Sequence, residues 1–478
     1  MHPPATLVYS SRRGHEARIN NMLQEIQIVA TTFSSYAWGP WLLVLLLGGG
    51  LFFLVYSRFA PFRHLRHALE LIAGRHDGTS APGQISHFQA LSAALAGTVG
   101  MGNIAGVALA IYIGGPGAIF WMWMTAVVGM ATKFFTCSLA VMYRGKDSEG
   151  VLQGGPMYVI REALGPRWRF LAYLFAGCGL IGALPAFQAN QLVQILRDVV
   201  FIENGWMAAG GSHLSFNVGA GLLLSLISAI VILGGLQRIA AVASKLVPFM
   251  AALYMMTALT AVCMHLDQVP AMLALIVSDA FTGDAAAGGA LLTVMLYGVQ
   301  RGAYSNEAGI GTEALAHGAA RTSEPIREGL VAMLGPVIDT LLVCTATALM
   351  ILVSGVWRSG DANGVTLTAA AFQHLLGTPG LVVVFICVLC FATTTIFTYS
   401  FYGTQCASFI WGVRRARRYV VVYLAFIVVA SIVTPQTAIS IIDGVFALMA
   451  IPTMISTLLL APRVKTAAET YFATLTEQ

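Results

Sequence analysis

The stretch Ala96-Gly-Thr-Val-Gly-Met-Gly-Asn-Ile-Ala-Gly106 lies inside an apolar run, 88–113, that is long enough to cross a bilayer. Its four glycines each weaken a helix by about 1 kcal/mol relative to alanine. Thr98 and Asn103 add polar side chains where only hydrocarbon is expected. A continuous lipid-facing helix gains nothing from these residues, whereas a helix that breaks in mid-membrane around a polar ligand does. Irregular backbone at that depth is tolerated where protein or a cavity satisfies it.

A small-residue packing face is the other interpretation of this stretch, because glycines at four-residue spacing let two helices approach closely. A nucleotide-binding loop is excluded, since such a loop follows a β-strand and this motif lies in a membrane-length apolar segment. The stretch by itself leaves the broken helix and the packing face both open.

The composition of the whole chain is that of a membrane protein. Of its 478 residues, 57% are hydrophobic and 10% are charged, and its mean hydropathy is +0.77; soluble domains carry about a quarter charged residues. The net charge of +5 comes from short loops between apolar runs, so no nucleic-acid partner is predicted. The seven cysteines lie in or beside apolar segments, which predicts neither a disulfide framework nor a zinc site. No cleavable signal peptide is evident in 1–37.

About 20 apolar residues per crossing give an all-α polytopic membrane protein with about eleven transmembrane helices. A second interrupted helix is predicted in the seventh span, at Tyr297-Gly-Val-Gln-Arg-Gly-Ala-Tyr-Ser-Asn-Glu-Ala-Gly-Ile-Gly-Thr312, where Arg301 and Glu307 accompany four glycines. Because this span comes five helices after the first interrupted one, the pair favours two five-helix units that each open with a broken helix, as in secondary transporters. The predicted spans are 38–57, 88–112, 116–142, 169–197, 217–234, 240–264, 290–312, 327–354, 379–403, 419–434 and 438–460.

These spans divide the chain into five parts. They are an N-terminal segment (1–37), an extra first helix (38–57), a first five-helix repeat (85–265), a second five-helix repeat (285–460) and a C-terminal tail (461–478). We further expect an amphipathic segment at 154–165, an external loop at 358–364, a surface helix at 366–376, and solvated histidines His64, His67 and His317.

Basic residues predict the orientation. They cluster in the loops after spans 1, 3, 7 and 9 and in the tail, while the alternate loops hold few, chiefly Arg358. By the positive-inside rule, the C-terminus is cytoplasmic and, with eleven spans, the N-terminus is outside the inner membrane of a bacterial cell. Arg12, Arg13 and Arg18 disagree with an external N-terminus, and translation from Met22 would remove all three.

Five separated motifs stand out along the chain: Gly100-Met-Gly-Asn-Ile-Ala-Gly106, Gly114-Gly-Pro-Gly-Ala-Ile-Phe-Trp-Met-Trp123, Gly154-Gly-Pro-Met-Tyr158, Ser305-Asn-Glu-Ala-Gly-Ile-Gly311 and Ile338-Asp-Thr340. Together they resemble the alanine or glycine:cation symporter family, within the amino acid-polyamine-organocation superfamily. The likeness runs from about Trp38 to Leu460. It implies the 5+5 inverted-repeat fold of the sodium-coupled leucine transporter, preceded by one extra helix, and symport of a small neutral amino acid with Na⁺, or sometimes H⁺.

An amino acid is a zwitterion, so its carboxylate needs donors and its ammonium needs acceptors. The resemblance places the carboxylate at free N–H groups of a half-helix N-terminus, with Gln188 reaching across from the fourth span, and the ammonium at freed carbonyls of both breaks. An interhelical hydrogen bond, worth about 0.6 kcal/mol, is the alternative role for Gln188. The implied substrate-binding residues are Thr98, Met101, Gly102, Asn103, Gln188, Tyr304, Ser305 and Tyr399.

Na⁺, the co-transported ion, is a hard cation that takes oxygen ligands. By similarity to the fold, Thr394 and Thr395 offer hydroxyls, and the carbonyls of Ala96 and Val99 complete the shell. A threonine run in a transmembrane helix also bonds back to its own helix, which is the alternative. No organic cofactor is predicted.

Charges inside the membrane are costly and mark functional sites or buried pairs. Lys133 lies about 16 Å from Arg144 along its helix and needs a carboxylate, for which Asp339 and Glu307 are the candidates. The pair either joins helices or takes part in proton coupling. Three residues depart from the family's pattern and bear on specificity or ion coupling: Met101 in place of Thr, Tyr399 in place of Trp, and Thr136 in place of an acidic residue.

The predicted function is sodium-coupled import of a small neutral amino acid such as alanine or glycine. A proton-coupled transporter of a related amino acid, and a sensor that binds an amino acid without moving it, remain as alternatives. An enzyme is not predicted, because the spans carry no Ser-His-Asp, metal or redox constellation. The expected partners are the amino acid and membrane lipid; the sequence does not predict an oligomeric state.

Overall fold

The structure, a computed structural model, is almost entirely helical. It describes residues 22, 24–74, 81–208, 210, 213–282, 291–360, 362, 364–432 and 435–476. The helices are α1 (Gln24–Tyr56), α2 (Leu65–Ile72), α3 (His87–Thr98), α4 (Gly102–Gly114), α5 (Ala118–Met142), α6 (Pro166–Ile202), α7 (Leu214–Ile232), α8 (Gly235–Cys263), α9 (Val269–Thr282), α10 (Leu291–Asn306), α11 (Glu313–His317), α12 (Pro325–Ser354), α13 (Gly364–Trp411), α14 (Val413–Ile432) and α15 (Pro435–Thr476). Strands β1 (Gly145–Lys146) and β2 (Leu152–Gln153) form an antiparallel hairpin between α5 and α6.

Eight helices of the described residues are long and apolar enough to cross a membrane, and the bent pair α3–α4 makes a ninth. The structure therefore confirms a multi-span helical architecture but does not confirm the expected number of eleven spans. Two of the expected spans differ in composition or length: α10 has 16 residues, and α14 carries arginines in its first turns.

The first predicted break is confirmed. Ser86 caps α3 in a reciprocal arrangement, in which its hydroxyl accepts from the Gln89 N–H at 3.2 Å and the Gln89 side chain accepts from the Ser86 N–H at 3.1 Å. The helix ends at Thr98, Val99 leaves helical geometry with a ψ of 88°, and α4 begins at Gly102 after a bend of 49°. The glycine-rich stretch therefore divides one span into two half-helices.

The second predicted break lies between α10 and α11. Glu307 has a φ of 55° and Gly309 a φ of 85°, which is the left-handed region that favours glycine. Gly311, with a φ of 96°, also allows close packing, because a Cβ there would lie 2.4 Å from the Thr453 hydroxyl oxygen. Helix α10 therefore ends at Asn306, and α11 begins at Glu313 after six intervening residues.

Helix α5 is the most buried of the candidate spans, and it packs against α1, α10 and α12. Helix α7 is the least buried and exposes large apolar side chains such as Leu223 and Leu226, which is expected of a lipid-facing helix. The breaks thus lie in the protein interior, where the irregular backbone is satisfied.

Several boundaries differ from the sequence-based expectations. Helix α1 starts at Gln24 instead of residue 38, and α15 extends to Thr476 through most of the segment expected to be a tail. Helix α9 was not expected: its 14 residues are too few to span a bilayer, and it packs on α5 through a hydrogen bond of 2.7 Å from the Gly117 N–H to Asp279. The surface helix at 366–376 forms the first part of α13, which turns at Gly377, where φ is 66°. The arginines at 12, 13 and 18 and the first residues up to 21 lie outside the described residues.

The half-helices α3 and α11 are joined at the end of the molecule that carries the arginine-rich loops, called here the arginine-rich end. Ile85 and Ala320 form a parallel β-bridge, and the Arg321 N–H donates to the Ile85 carbonyl at 2.6 Å. The Arg144 guanidinium at the end of α5 donates to the carbonyls of Gly318 at 2.7 Å and Thr322 at 3.0 Å. The chain that enters α3 and the chain that leaves α11 are therefore held together.

Candidate functional site

The two breaks meet at one buried carboxylate. The Asn103 side-chain amide, from the first break, donates to Asp339 Oδ1 and to the Asp339 carbonyl at 3.1 Å. The Ser305 hydroxyl, at the end of α10, donates to Asp339 Oδ2 at 2.9 Å, and Thr340 donates to the same oxygen at 2.7 Å. The breaks are also in direct contact, because a Cβ on Gly102 would lie 3.3 Å from the Ser305 Cα.

Asn103 also frees backbone carbonyls in the first break. Its Oδ1 accepts from the Gly100 N–H at 2.8 Å, and that N–H is the donor that a continuous helix would give to the Ala96 carbonyl. The Asn103 N–H in turn donates to the Gly100 carbonyl at 3.1 Å instead of to the Val99 carbonyl four residues back. The carbonyls of Ala96 and Val99 thereby lose their regular helical donors, which leaves them available to a cation.

Helix α13 brings its threonine run to this break. A Cβ on Gly100 would lie 2.5 Å from the Thr395 hydroxyl oxygen. The hydroxyls of Thr394 and Thr395 bond back to carbonyls of their own helix, at 2.8 Å to Cys390 and 2.9 Å to Phe391. Back-bonding and ion binding are compatible, because a hydroxyl that donates its proton keeps its oxygen lone pairs as acceptors.

Residues next to Gly97 in the chain or packed against it carry three more buried hydroxyls. Within the part of the chain that the structure describes, Thr98 Oγ1, Thr398 Oγ1 and Tyr402 Oη have no hydrogen-bond partner. The Tyr402 oxygen lies 3.3 Å from the position of a Cβ on Gly97. Buried hydroxyls without partners are uncommon and cost free energy. Of these, the Tyr402 hydroxyl faces Gly97, whereas the nearest atom of Thr398 is its methyl carbon, at 3.5 Å from the same Cβ position.

Sequence reasoning did not select Thr398 and Tyr402. The signal was present, since both follow Thr394 at four-residue intervals along α13 and therefore lie on one helical face with it.

Two tyrosines place polar groups near the second break. Tyr304 is hydrogen-bonded to the Gln188 side chain, and its ring lies 6.1 Å from the Phe187 ring. Tyr399 donates to Glu307 Oε1 at 2.8 Å, while the other carboxylate oxygen accepts from Thr312 at 2.6 Å. Glu307 thus holds both ends of the second break and connects it to α13.

Lys133 lies among three buried carboxylates. It interacts electrostatically with Glu307, Glu313 and Asp339. Among the residues that the structure describes, no carboxylate oxygen of Glu307 or Asp339 lies within 4.0 Å of its ammonium. The expected direct pair is therefore replaced by a looser charge cluster, because Asp339 already accepts three side-chain donors.

Every side chain assigned to substrate from the sequence is enclosed. Each is 7% exposed or less, and Asn103 is fully buried. The cavities of about 280, 380 and 540 Å³ that open elsewhere are lined by other residues. The arrangement is a set of buried polar groups where two interrupted helices meet.

A family model described as the sodium:alanine symporter family matches residues 23–478. The chain belongs to the sodium:alanine symporter family. The sodium/alanine symporter AgcS of Methanococcus maripaludis is 38% identical over 440 residues, which are 91% of this chain and 94% of that protein. An uncharacterized transporter of Haemophilus influenzae is 39% identical over 445 residues, or 90% of this chain and 93% of that protein. The resemblance indicated by the motifs is confirmed.

The crystal structure of MhsT in complex with L-phenylalanine has the same fold. Its TM-score is 0.55 at 13% sequence identity, and the match covers 80% of this chain and 98% of that chain. MhsT has the fold of the leucine transporter, so the expected fold is confirmed at that level. This member of the symporter family is therefore a multi-pass membrane transporter and not an enzyme.

A buried histidine–carboxylate cluster in this symporter was missed by sequence reasoning. His317 is fully buried, not solvated, and its Nδ1 lies 2.6 Å from Glu328 Oε1. His87, the first residue of α3, contacts the other oxygen of Glu328 through its Nδ1. The expectation for His317 was wrong because α11, which ends at His317, packs against α3 and α5.

Glu313 is the second buried acid of the symporter that the sequence did not reveal. Thr136 donates to Glu313 Oε1 at 3.1 Å, and among the described residues Oε2 has no hydrogen-bond partner. Thr136 stands where the family's pattern has an acidic residue, so Glu313, 177 positions away in the chain, supplies a carboxylate to this region.

Proposed function

We propose that this chain is a sodium-coupled symporter that imports a small neutral amino acid, such as alanine or glycine. The observation that carries the proposal is the joining of two broken helices by Asp339, beside freed carbonyls and unpartnered hydroxyls. This arrangement brings buried donors, acceptors and oxygen ligands together at the two breaks, as a zwitterion and Na⁺ require.

The amino acid is held between the breaks. Its carboxylate is bound at Met101, Gly102 and Asn103, where α4 begins and its positive dipole end points into the site. Its ammonium is bound by carbonyls near Thr98 and around Tyr304 and Ser305. Gln188, Tyr399, and the aromatic rings around them close the site.

The Na⁺ ion is held where α13 meets the first break. Its ligands are the carbonyls of Ala96 and Val99 and the hydroxyls of Thr394 and Thr395. Support comes from the lost helical donors of both carbonyls and from the contact between Gly100 and Thr395. Oxygen ligands of this kind match the preference of a hard cation.

The finer architecture that we propose is eleven spans, with a 5+5 inverted repeat after α1. The arginine-rich end is cytoplasmic by the positive-inside rule, which places the C-terminus inside and the N-terminus outside the bacterial inner membrane. Substrate and Na⁺ stabilise the enclosed state, and the two repeats then open to one side or the other about the shared site. Each ligand shifts that equilibrium only by its differential affinity for the states.

Proton coupling is the second candidate. The observation in its favour is the cluster of Lys133 with Glu307, Glu313 and Asp339, all buried at the level of the two breaks. A proton moving onto one of these carboxylates would change the charge of the cluster by one unit without any contribution from Na⁺.

Uptake into proteoliposomes decides between these candidates. Labelled alanine, glycine and a panel of larger amino acids are offered with an inward Na⁺ gradient, with an inward proton gradient, or with neither. We expect accumulation of alanine or glycine with the Na⁺ gradient alone. Accumulation with the proton gradient alone would support the second candidate, and binding without accumulation under any gradient would identify a sensor.

A further inference from the structure

A basic cavity of about 380 Å³ opens at the arginine-rich end, where the end of α1 meets the last turns of α15. Arg58, Arg63 and Lys465 line it together with His64, and Glu469 is the carboxylate in its lining. Three cations against one anion make the cavity positively charged. It is separate from the proposed substrate site, since no residue assigned to the substrate lines it.

The three cations are not neutralised by neighbouring acids. Among the described residues, no carboxylate oxygen lies within 4.0 Å of a charged nitrogen of Arg58, Arg63 or Lys465. Arg66, one turn further along the same segment, differs: it pairs with Glu70 at 3.3 Å and its side chain is 94% exposed. The cavity therefore concentrates charge that is still available to an anion.

Specific contacts fix the walls of the cavity. The Lys465 ammonium lies 4.4 Å from the centre of the Tyr56 ring, a favourable cation–π geometry. The His64 ring stacks on Phe472 with 3.7 Å between ring centres. Arg58 and Phe59 have φ angles of 54° and 61°, so the chain reverses sharply as it leaves α1. The basic side chains are thus positioned by the fold.

Exposed apolar side chains are chain neighbours of the cavity-lining residues at the end of α1 and in the turn that follows it. Phe59 and Phe62 are 50% and 43% exposed, and Val55, one turn before the end of α1, is 57% exposed. Exposed apolar residues that continue a lipid-facing helix into a basic cavity match an amphiphile, whose acyl chains lie along the helix and whose headgroup enters the cavity. Binding of a small soluble anion would not require these exposed apolar side chains.

We propose that this cavity binds the phosphate-bearing headgroup of an anionic phospholipid in the leaflet at the arginine-rich end. Basic pockets at the cytoplasmic ends of transmembrane helices recognise such headgroups by charge. The lipid would join α1, which precedes the repeats, to α15, which ends the second repeat. The inference does not depend on which amino acid or ion is transported.

The test is a binding titration of the purified full-length protein in neutral detergent. Short-chain phosphatidylglycerol, phosphatidylcholine of the same chain length and inorganic phosphate are compared by native mass spectrometry or by the shift in Tm. The variants are Arg63→Gln and Lys465→Gln, and Arg66→Gln is the matched control. Lys465→Arg, which keeps the charge, distinguishes lost charge from lost packing.

We expect phosphatidylglycerol to bind more tightly than either comparison ligand. Each of Arg63→Gln and Lys465→Gln weakens that binding about fivefold, whereas Arg66→Gln and Lys465→Arg leave it unchanged. Equal binding of inorganic phosphate would show a free-anion site, and equal binding of phosphatidylcholine would show acyl-chain binding. Either result overturns the proposal, and so does unchanged phosphatidylglycerol affinity in both Arg63→Gln and Lys465→Gln. None of these measurements depends on transport activity.

Discussion

At the scale of single residues, Asn103 connects the sequence to the site most directly. A polar amide in an apolar run could be recognised from the sequence, and so could the freed backbone around it. Its partner could not: Asp339 is 236 positions away, and nothing local to either residue indicates the contact. Glu313 and Glu328 were missed for the same reason, because buried acids on different helices acquire meaning only when the helices pack.

The hydroxyl of Thr395 provides the first prediction. Thr395→Val removes an oxygen that faces Gly100 while conserving shape, so we expect the Na⁺ concentration for half-maximal uptake to rise about tenfold, the effect of losing one strong interaction with a charged group. We expect Thr394→Val to raise the same Na⁺ concentration. Thr393→Val is the control, because its hydroxyl bonds back to Leu389 at 2.7 Å and is not part of the proposed ion site. An unchanged Na⁺ dependence in both variants would remove these hydroxyls from the ion site.

The carboxylate of Asp339 provides the second prediction. Asp339→Ala removes the carboxylate that accepts from the Ser305 and Thr340 hydroxyls, and it leaves the Asn103 amide only the backbone carbonyl of residue 339. Each buried group left unsatisfied costs about 1–3 kcal/mol. We expect the Tm in detergent to fall and uptake to be lost. Substituting Asp147, an acid of the β-hairpin loop that accepts from Gln153 at 2.9 Å, by alanine is the control for a general effect of losing a carboxylate. A stable Asp339→Ala protein with normal uptake is incompatible with a role in joining the breaks.

At the scale of elements, both breaks were predicted to within a few residues. Their signals are local, since glycine weakens a helix wherever it occurs and polar groups in an apolar run are conspicuous. Lengths were predicted less well. Helix α1 continues 14 residues upstream of its expected start at Trp38, because its first turns are amphipathic and give no hydropathy signal. Helix α9 is apolar but too short for a span, and only its packing on α5 accounts for it.

The glycines of the second break provide a prediction about backbone geometry. Gly311→Ala places a Cβ 2.4 Å from the Thr453 oxygen and 2.7 Å from Pro156 at a φ that L-residues avoid. We expect a loss of about 2–4 kcal/mol, combining backbone strain with overpacking. Gly150→Ala separates the two effects, since Gly150 has a φ of 81° but open space around it. Equal losses of unfolding free energy in the two variants would show that close packing at Gly311 is unimportant.

The connection between α3 and α11 provides a prediction about how easily the two joined segments separate. Arg144→Lys keeps the charge but loses the planar donor fork that reaches the carbonyls of Gly318 and Thr322. We expect the amides of Gln84 and Arg321, which bond across the two segments at 2.8 and 2.6 Å, to exchange hydrogen about tenfold faster. Arg161→Lys is the matched control on the same end of the molecule. Unchanged exchange would show that Arg144 does not stabilise the joined state.

At the scale of the whole molecule, three features lie in separate regions. The two breaks meet at Asp339, the segments flanking α3 and α11 are joined at the arginine-rich end, and the ends of α1 and α15 line the basic cavity. The sequence could predict the class of molecule, because hydropathy and matched interruptions are global patterns. It predicted Glu307 and Asp339 as carboxylates for Lys133, but it could not predict Glu313 as a third, which depends on how α5, α11 and α12 pack.

The central claim is that two interrupted helices hold the amino acid and Na⁺ side by side. The most direct measurement is a cryo-electron microscopy map of the protein with alanine and Na⁺, compared with one recorded in K⁺ without alanine. We expect ligand density at the two breaks, beside Met101 and Tyr304, with ion density between the Ala96 and Val99 carbonyls and the Thr395 hydroxyl. Ligand density outside the two breaks, or continuous helix through 98–102 and 306–313 when alanine is bound, would contradict the central claim.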